Sequence, residues 1–210
     1  LRWLPFALLL ATAACEVSPT ALERLDPAGL ERLVTRSGAD GPAQRVLLDL
    51  VRRLGDPAAE PGALPGLDSL FVLSLAHNGA DGPSAGEASQ RLQHHQEIAQ
   101  RAWAAIDQGD RDTGEDGLQD ARAYQAETVV QALGPGMPFV YVSIAGRTLD
   151  RLSAADGGED ATRAAIARTA TDLLADAREA LQRGHGAVAL DLATHAAGLI
   201  NLLRSGPTPH

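Results

Sequence analysis

The sequence predicts an all-α protein: an antiparallel bundle of four to six helices, arranged as helical hairpins behind a flexible N-terminal tether. Three observations carry that expectation. Aromatic residues make up only 3% of the chain while Ala and Leu abound, a composition that suits closely packed helices better than a β-sandwich. Apolar residues recur at alternating steps of three and four through successive stretches, the spacing of one helix face. The 21 glycines and 12 prolines fall between those stretches and punctuate them. A length of 210 residues suits one domain with a tethering segment.

Pro42-Ala43-Gln44-Arg45 opens a helix running to Leu54, with Val46, Leu47, Leu50 and Val51 on one face. Gly55-Asp56-Pro57 stops it, and a turn-rich connector follows to Gly66. Leu67 to Ala76 is a short, strongly apolar helix, and Asn78 to Gly86 is loop. From Glu87 to Gln108 a helix presents Leu92, His95, Ala99, Ala102 and Ile106 along one face. Gly109, Gly114 and Gly117 read as a break before a helix from Leu118 to Leu133, whose buried face is Leu118, Ala121, Val129 and Ala132. Gly134-Pro135-Gly136 ends that helix.

Met137 to Ala155 is read as helix on the step of Val142, Ala145, Leu149 and Leu152, although PFVYVSI has β propensity. The helix from Glu159 to Arg183 carries the stripe Ile166, Ala170, Leu173, Ala177 and Leu181, with Gly184 placed to end it. The last helix, Ala187 to Arg204, has Leu192, Ala196, Leu199 and Leu203 on its face. These readings divide the chain into a signal segment (1–14), a tether (15–42), a helical domain (43–204) and a loose tail (205–210).

Residues 1–14, LRWLPFALLLATAA, combine an early Arg, an apolar run from Trp3 to Leu10 and small residues before Cys15, the lone cysteine. That run is too short for a bilayer core, which needs about 20 apolar residues, and it has the layout of an export signal. Thr12-Ala13-Ala14-Cys15 resembles the lipobox of bacterial lipoproteins, a family that usually has Leu where Thr12 stands. The resemblance implies cleavage before Cys15, acylation of its sulfur and its new amino group, and stable anchoring in a membrane of the cell envelope. An ordinary signal peptide cut at Ala-x-Ala and an uncleaved anchor are the alternatives. A single cysteine forms no disulfide within one chain.

The stretch ALQRGHGAVALDLATHAAGL resembles the turn of a tetratricopeptide-type helical hairpin, with Gly184 at the turn and Ala189 and Ala196 on the second helix. The resemblance covers one hairpin and implies antiparallel helices, with no second copy at a period of about 34.

The formal charge is −9, and all 18 basic residues are arginine. A net negative chain lacks the positive footprint of a nucleic-acid partner and of electrostatic attachment to anionic lipid. Membrane attachment is therefore expected only through N-terminal lipid.

Candidate chemistry centres on two histidines. His95 and His195 each lie on an apolar stripe, about nine residues or roughly 13 Å into their helices, which places both near mid-height of an antiparallel bundle. Facing imidazoles joined by Asp191 and Glu127 form a candidate metal or haem site; Glu97 lies two residues past His95, and Tyr124 comes with Glu127 from the helix between. The Glu-x-x-His spacing of ferritin-like di-iron proteins is absent from both helices. The competing reading makes Asp191 and His195 a simple i, i+4 pair. The sequence has no Gly-x-Ser-x-Gly and no phosphate-binding loop. Asp107 to Asp120 is acidic but lacks the bidentate Glu that closes a calcium loop. Trp103 and Tyr141 are read as core, and exposure of either would instead point to a partner contact. The functional expectation is a non-enzymatic exported lipoprotein, without cofactor, that binds another envelope protein as a scaffold or accessory subunit. The rivals are a metal- or haem-binding bundle using His95 and His195, and a carrier of an apolar ligand.

Overall fold

The computed structural model describes residues 26–36, 41–56, 58–76, 84–155 and 160–205. Among them the fold is all-α, with eight helices and no strand: α1 Pro27–Arg36, α2 Pro42–Gly55, α3 Leu67–Leu75, α4 Ala85–Asp107, α5 Arg111–Leu133, α6 Met137–Ala155, α7 Ala161–Gln182 and α8 Gly186–Ser205. Cys15, His77 and His210 lie outside the described residues.

α8 is the central element and packs against α7, α6, α5 and α3. Its buried face is lined by small residues: Ala189, Ala193, Ala196 and Ala197 are fully buried among Leu190, Ile200 and Leu203. Small side chains let helix backbones approach, so several helices can share one partner. The turn into α8 uses Gly184 at φ 79°, a left-handed conformation that glycine adopts without a Cβ penalty. The hairpin α7–α8 therefore forms where the sequence places it. α8 also has the length and composition of a membrane span, 44% of which is buried: Leu190, Ile200 and Leu203 belong to the shared core, while Val188 and Leu202 are exposed.

PFVYVSI is helical within α6, since Val140, Tyr141, Ile144 and Ala145 all enter the core; burial on one helix face overrides β propensity. Between α5 and α6 the chain changes direction by 107° across Gly134-Pro135-Gly136, so not every consecutive pair is an antiparallel hairpin.

Two expectations need correction. The tether assigned to residues 15–42 includes α1, and α1 is docked: Leu30 and Val34 are each 1% exposed, and Glu31 pairs with Arg52 of α2 at 2.9 Å. An amphipathic helix of ten residues buries its apolar face wherever a partner is offered, and α2 and α6 offer one. The break assigned from Gly109 to Gly117 is confined to residues 108–110. Gly114 and Gly117 lie inside α5, facing α4. A Cβ at Gly114 would stand 2.2 Å from Ile106 Cγ1 and 2.9 Å from the Ala102 carbonyl oxygen, and one at Gly117 would stand 2.9 Å from Ala102 Cβ. These glycines permit close helix approach; they do not end a helix.

Polar side chains tie the connectors to the helices. Arg151 of α6 donates to the carbonyls of Leu54 at 2.9 Å, Arg53 at 3.1 Å, Asp56 at 3.1 Å and Ala59 at 3.4 Å. A guanidinium thus caps the negative end of α2. Asn201 of α8 binds both backbone groups of Leu64, accepting from its N–H at 2.9 Å and donating to its carbonyl at 2.8 Å. Buried Tyr141 donates to the Pro65 carbonyl, and its burial raises the phenol's pKa.

Two stability measurements test this packing by urea unfolding. Arg151→Ala is expected to lower stability by about 1–3 kcal/mol, the cost of leaving helix-end carbonyls without their cationic donor. Gly114→Val is expected to cost about 1–3 kcal/mol through overpacking of the α4–α5 seam. A neutral or stabilising Gly114→Val would show that the seam is not tightly closed.

Candidate functional site

The site is built where α4 meets the body. α4 begins with a capping box: the Ser84 side chain accepts from the Glu87 N–H at 3.2 Å, while Glu87 accepts from the Ser84 N–H at 2.7 Å. These bonds stabilise the ionised carboxylate and hold the Glu87 pKa below its ordinary value. From there the helix runs 23 residues with only Ala102 fully buried. Its principal partner is α5. His95, Ile98, Ala99, Ala105 and Ile106 are half-buried along the seam.

Rings from three helices meet beside that seam. His95 packs on Phe71 of α3, with centroids 5.3 Å apart. Phe71 also meets Tyr124 of α5 edge-on at 6.5 Å, and His94 meets Tyr124 edge-on at 4.9 Å. Such offset and edge contacts complement aromatic charge distributions. Asp68 accepts a hydrogen bond from Gln125 Nε2 at 2.8 Å. Burial lowers the His95 pKa by disfavouring the charged ring, opposed by the negative charge of Asp68.

His195 occupies a different neighbourhood. Its ring is 47% exposed, and Nδ1 lies 3.7 Å from Asp191 Oδ2. The other oxygen of Asp191 accepts from Arg122 of α5, at 3.0 Å from Nε and 2.7 Å from Nη2. The i, i+4 pairing of Asp191 with His195 is thus present, but the carboxylate is chiefly the partner of an arginine.

His95 and His195 are not brought together. Arg122 and Tyr124 are two residues apart on α5, about 200° around a helix of 3.6 residues per turn, so the two histidine neighbourhoods are reached from different faces of α5. A site shared at mid-height needs α4 and α8 to be facing partners. Instead α4 packs chiefly on α5, and α8 on α7, α6 and α5. Glu127 is exposed on α5. Among the described residues no three of His, Cys, Asp and Glu gather as ligands for a metal ion.

Several participants were not singled out by the sequence reading. His94 had no assigned role, yet it is the residue that meets Tyr124 edge-on. Phe71 and Arg122 lie on helices whose mutual placement no local pattern specifies. Trp103, read as core, is 55% exposed, and Leu92 of the same helix is 40% exposed. Both lie beside the seam, where α5 does not cover them.

Together these features define an all-α protein whose α4–α5 hairpin presents an incompletely covered helix. No protein-family model, characterised protein or solved structure matches the chain.

The His95 environment has a measurable pH signature. A pKa depressed in the fold means that the unfolded chain binds the proton first as pH falls. The His95 contribution is therefore neutral well above pH ~6.5, turns destabilising as pH falls through that value, and levels off below the folded pKa. Melting temperatures of the protein and of His95→Gln from pH 8 to pH 5 check this. The variant is expected to lose less stability over that range, and equal losses would sink the assignment.

Proposed function

We propose that the protein is a non-enzymatic, lipid-anchored scaffold or accessory subunit of the bacterial cell envelope that binds another envelope protein through α4. The observation that carries this reading is the exposure of Trp103 on a helix with one fully buried residue. Tryptophan is costly to leave in water and is enriched among residues that dominate binding interfaces. Leu92, three turns earlier on the same flank, extends the apolar contact. The signal-like segment and Cys15 supply the anchor in this reading, with cleavage before Cys15 and lipid on its sulfur.

Tryptophan fluorescence tests it directly. The sequence has two tryptophans, Trp3 and Trp103, so cleavage before Cys15 leaves Trp103 as the single emitter. Its emission is expected at the wavelength of solvent-exposed indole in the purified protein. A blue shift is expected on adding detergent-solubilised native envelope protein, and Trp103→Ser is expected to abolish stoichiometric co-purification of a partner. Retention of that partner by Trp103→Ser would defeat the α4 assignment. Unchanged processing and membrane partition of Cys15→Ser would defeat the anchor.

A further inference from the structure

A groove of about 470 Å³ runs between α6 and α7, within the usual range of small-ligand sites of about 300–1,000 Å³. It lies away from α4 and plays no part in the partner reading. Its two ends differ in chemistry. The register follows from the chain path: α7 and α8 form a tight hairpin, and a Cβ on Gly186, at the start of α8, would lie 3.4 Å from Pro138 at the start of α6. The C-terminal end of α7 therefore lies beside the N-terminal end of α6. Phe139 and Val142 of α6 and Leu181 of α7 consequently line one end. One to two turns further along α6, Gly146, Arg147 and Asp150 meet Arg178 of α7 at the other.

The charged end is shaped around Arg178. Gly146 is buried, and a Cβ there would stand 2.9 Å from Arg178 Nη2. The missing side chain is thus the space in which the guanidinium rests. Arg178 is half-buried and makes no ion pair or hydrogen bond with any described residue, although the Asp150 carboxylate lines the same groove. This guanidinium stands out on a chain whose net charge is −9. A planar guanidinium with open donors matches a carboxylate bidentately, and Ser143 adds a hydroxyl between the two ends. The apolar end, with Val142 and Leu181 buried in its floor, matches a hydrocarbon or aromatic group.

From this polarity we infer that the α6–α7 groove binds a small amphipathic carboxylate. Its carboxylate sits on the Arg178 guanidinium, and its apolar part lies along Phe139, Val142 and Leu181.

Calorimetric titration of the full chain with decanoate below its micellar concentration tests the site, with decanol and acetate as comparison probes. Saturable one-to-one binding of decanoate is expected, with decanol and acetate each weaker by about tenfold or more. Arg178→Gln is expected to weaken decanoate by about tenfold, the factor typical of losing a charged hydrogen bond. Gly146→Ala, which pushes the guanidinium from its cradle, is expected to weaken it in the same direction. Helical circular dichroism and a cooperative melt establish that each variant is folded; if one is not, the other decides. Absence of saturable decanoate binding overturns the inference. So does decanoate affinity unchanged in a folded variant, or acetate or decanol binding as tightly as decanoate.

Discussion

The packing of α8 is the constraint on which the rest of the structure depends. One helix serves as common partner to α7, α6, α5 and α3, and a helix can do so only if its neighbours approach closely on more than one side. Ala189, Ala193, Ala196 and Ala197 provide that approach. Each alanine buries little area, so the stabilisation comes from the larger residues that the small ones admit: Leu174, Ile144, Val129 and Leu190 all join the same core. This also explains why so few aromatics suffice. A core of closely spaced helices has little volume for large rings, and the ones it contains have particular tasks, such as Tyr141, whose hydroxyl reaches the Pro65 carbonyl.

With the helices fixed, the connectors need their backbone groups satisfied. Arg151 and Asn201 do this from helices remote in sequence, one at the end of α2 and the other at Leu64. Both are directional and local: the surrounding apolar packing positions them, and they in turn fix where the α2–α3 connector lies. Gln44 stands apart, because its amide is buried without a hydrogen-bond partner among the described residues.

The α4–α5 hairpin is organised differently from the core. Its contact rests on Gly114, Gly117 and Ala102, which bring two backbones together without filling space between them. A seam of that kind holds α4 along one narrow strip and leaves its flanks uncovered, which is why Leu92 and Trp103 remain in solvent. The same economy produces the α6–α7 groove, where Gly146 leaves room for a guanidinium. In both places a glycine inside a helix opens a surface feature that a larger side chain would close.

Sequence alone determined the helical class, the stripes of α2, α7 and α8 and the turn at Gly184, whereas the helical state of PFVYVSI was settled by burial of Val140, Tyr141, Ile144 and Ala145 in the core. The first three are set by local periodicity or by the conformational freedom of one residue. The capping box at Ser84 and Glu87 was equally local and marked the start of α4 two residues before the expected position. Tertiary structure alone decided the docking of α1, the continuity of α5 through its glycines, the exposure of Trp103, and the separation of His95 from His195. A stripe records that a face is buried and is silent about which helix buries it. A glycine reads the same in sequence whether it ends a helix or lets another helix touch it. Partner choice depends on the summed packing of all the helices, and that sum exists only in the folded chain.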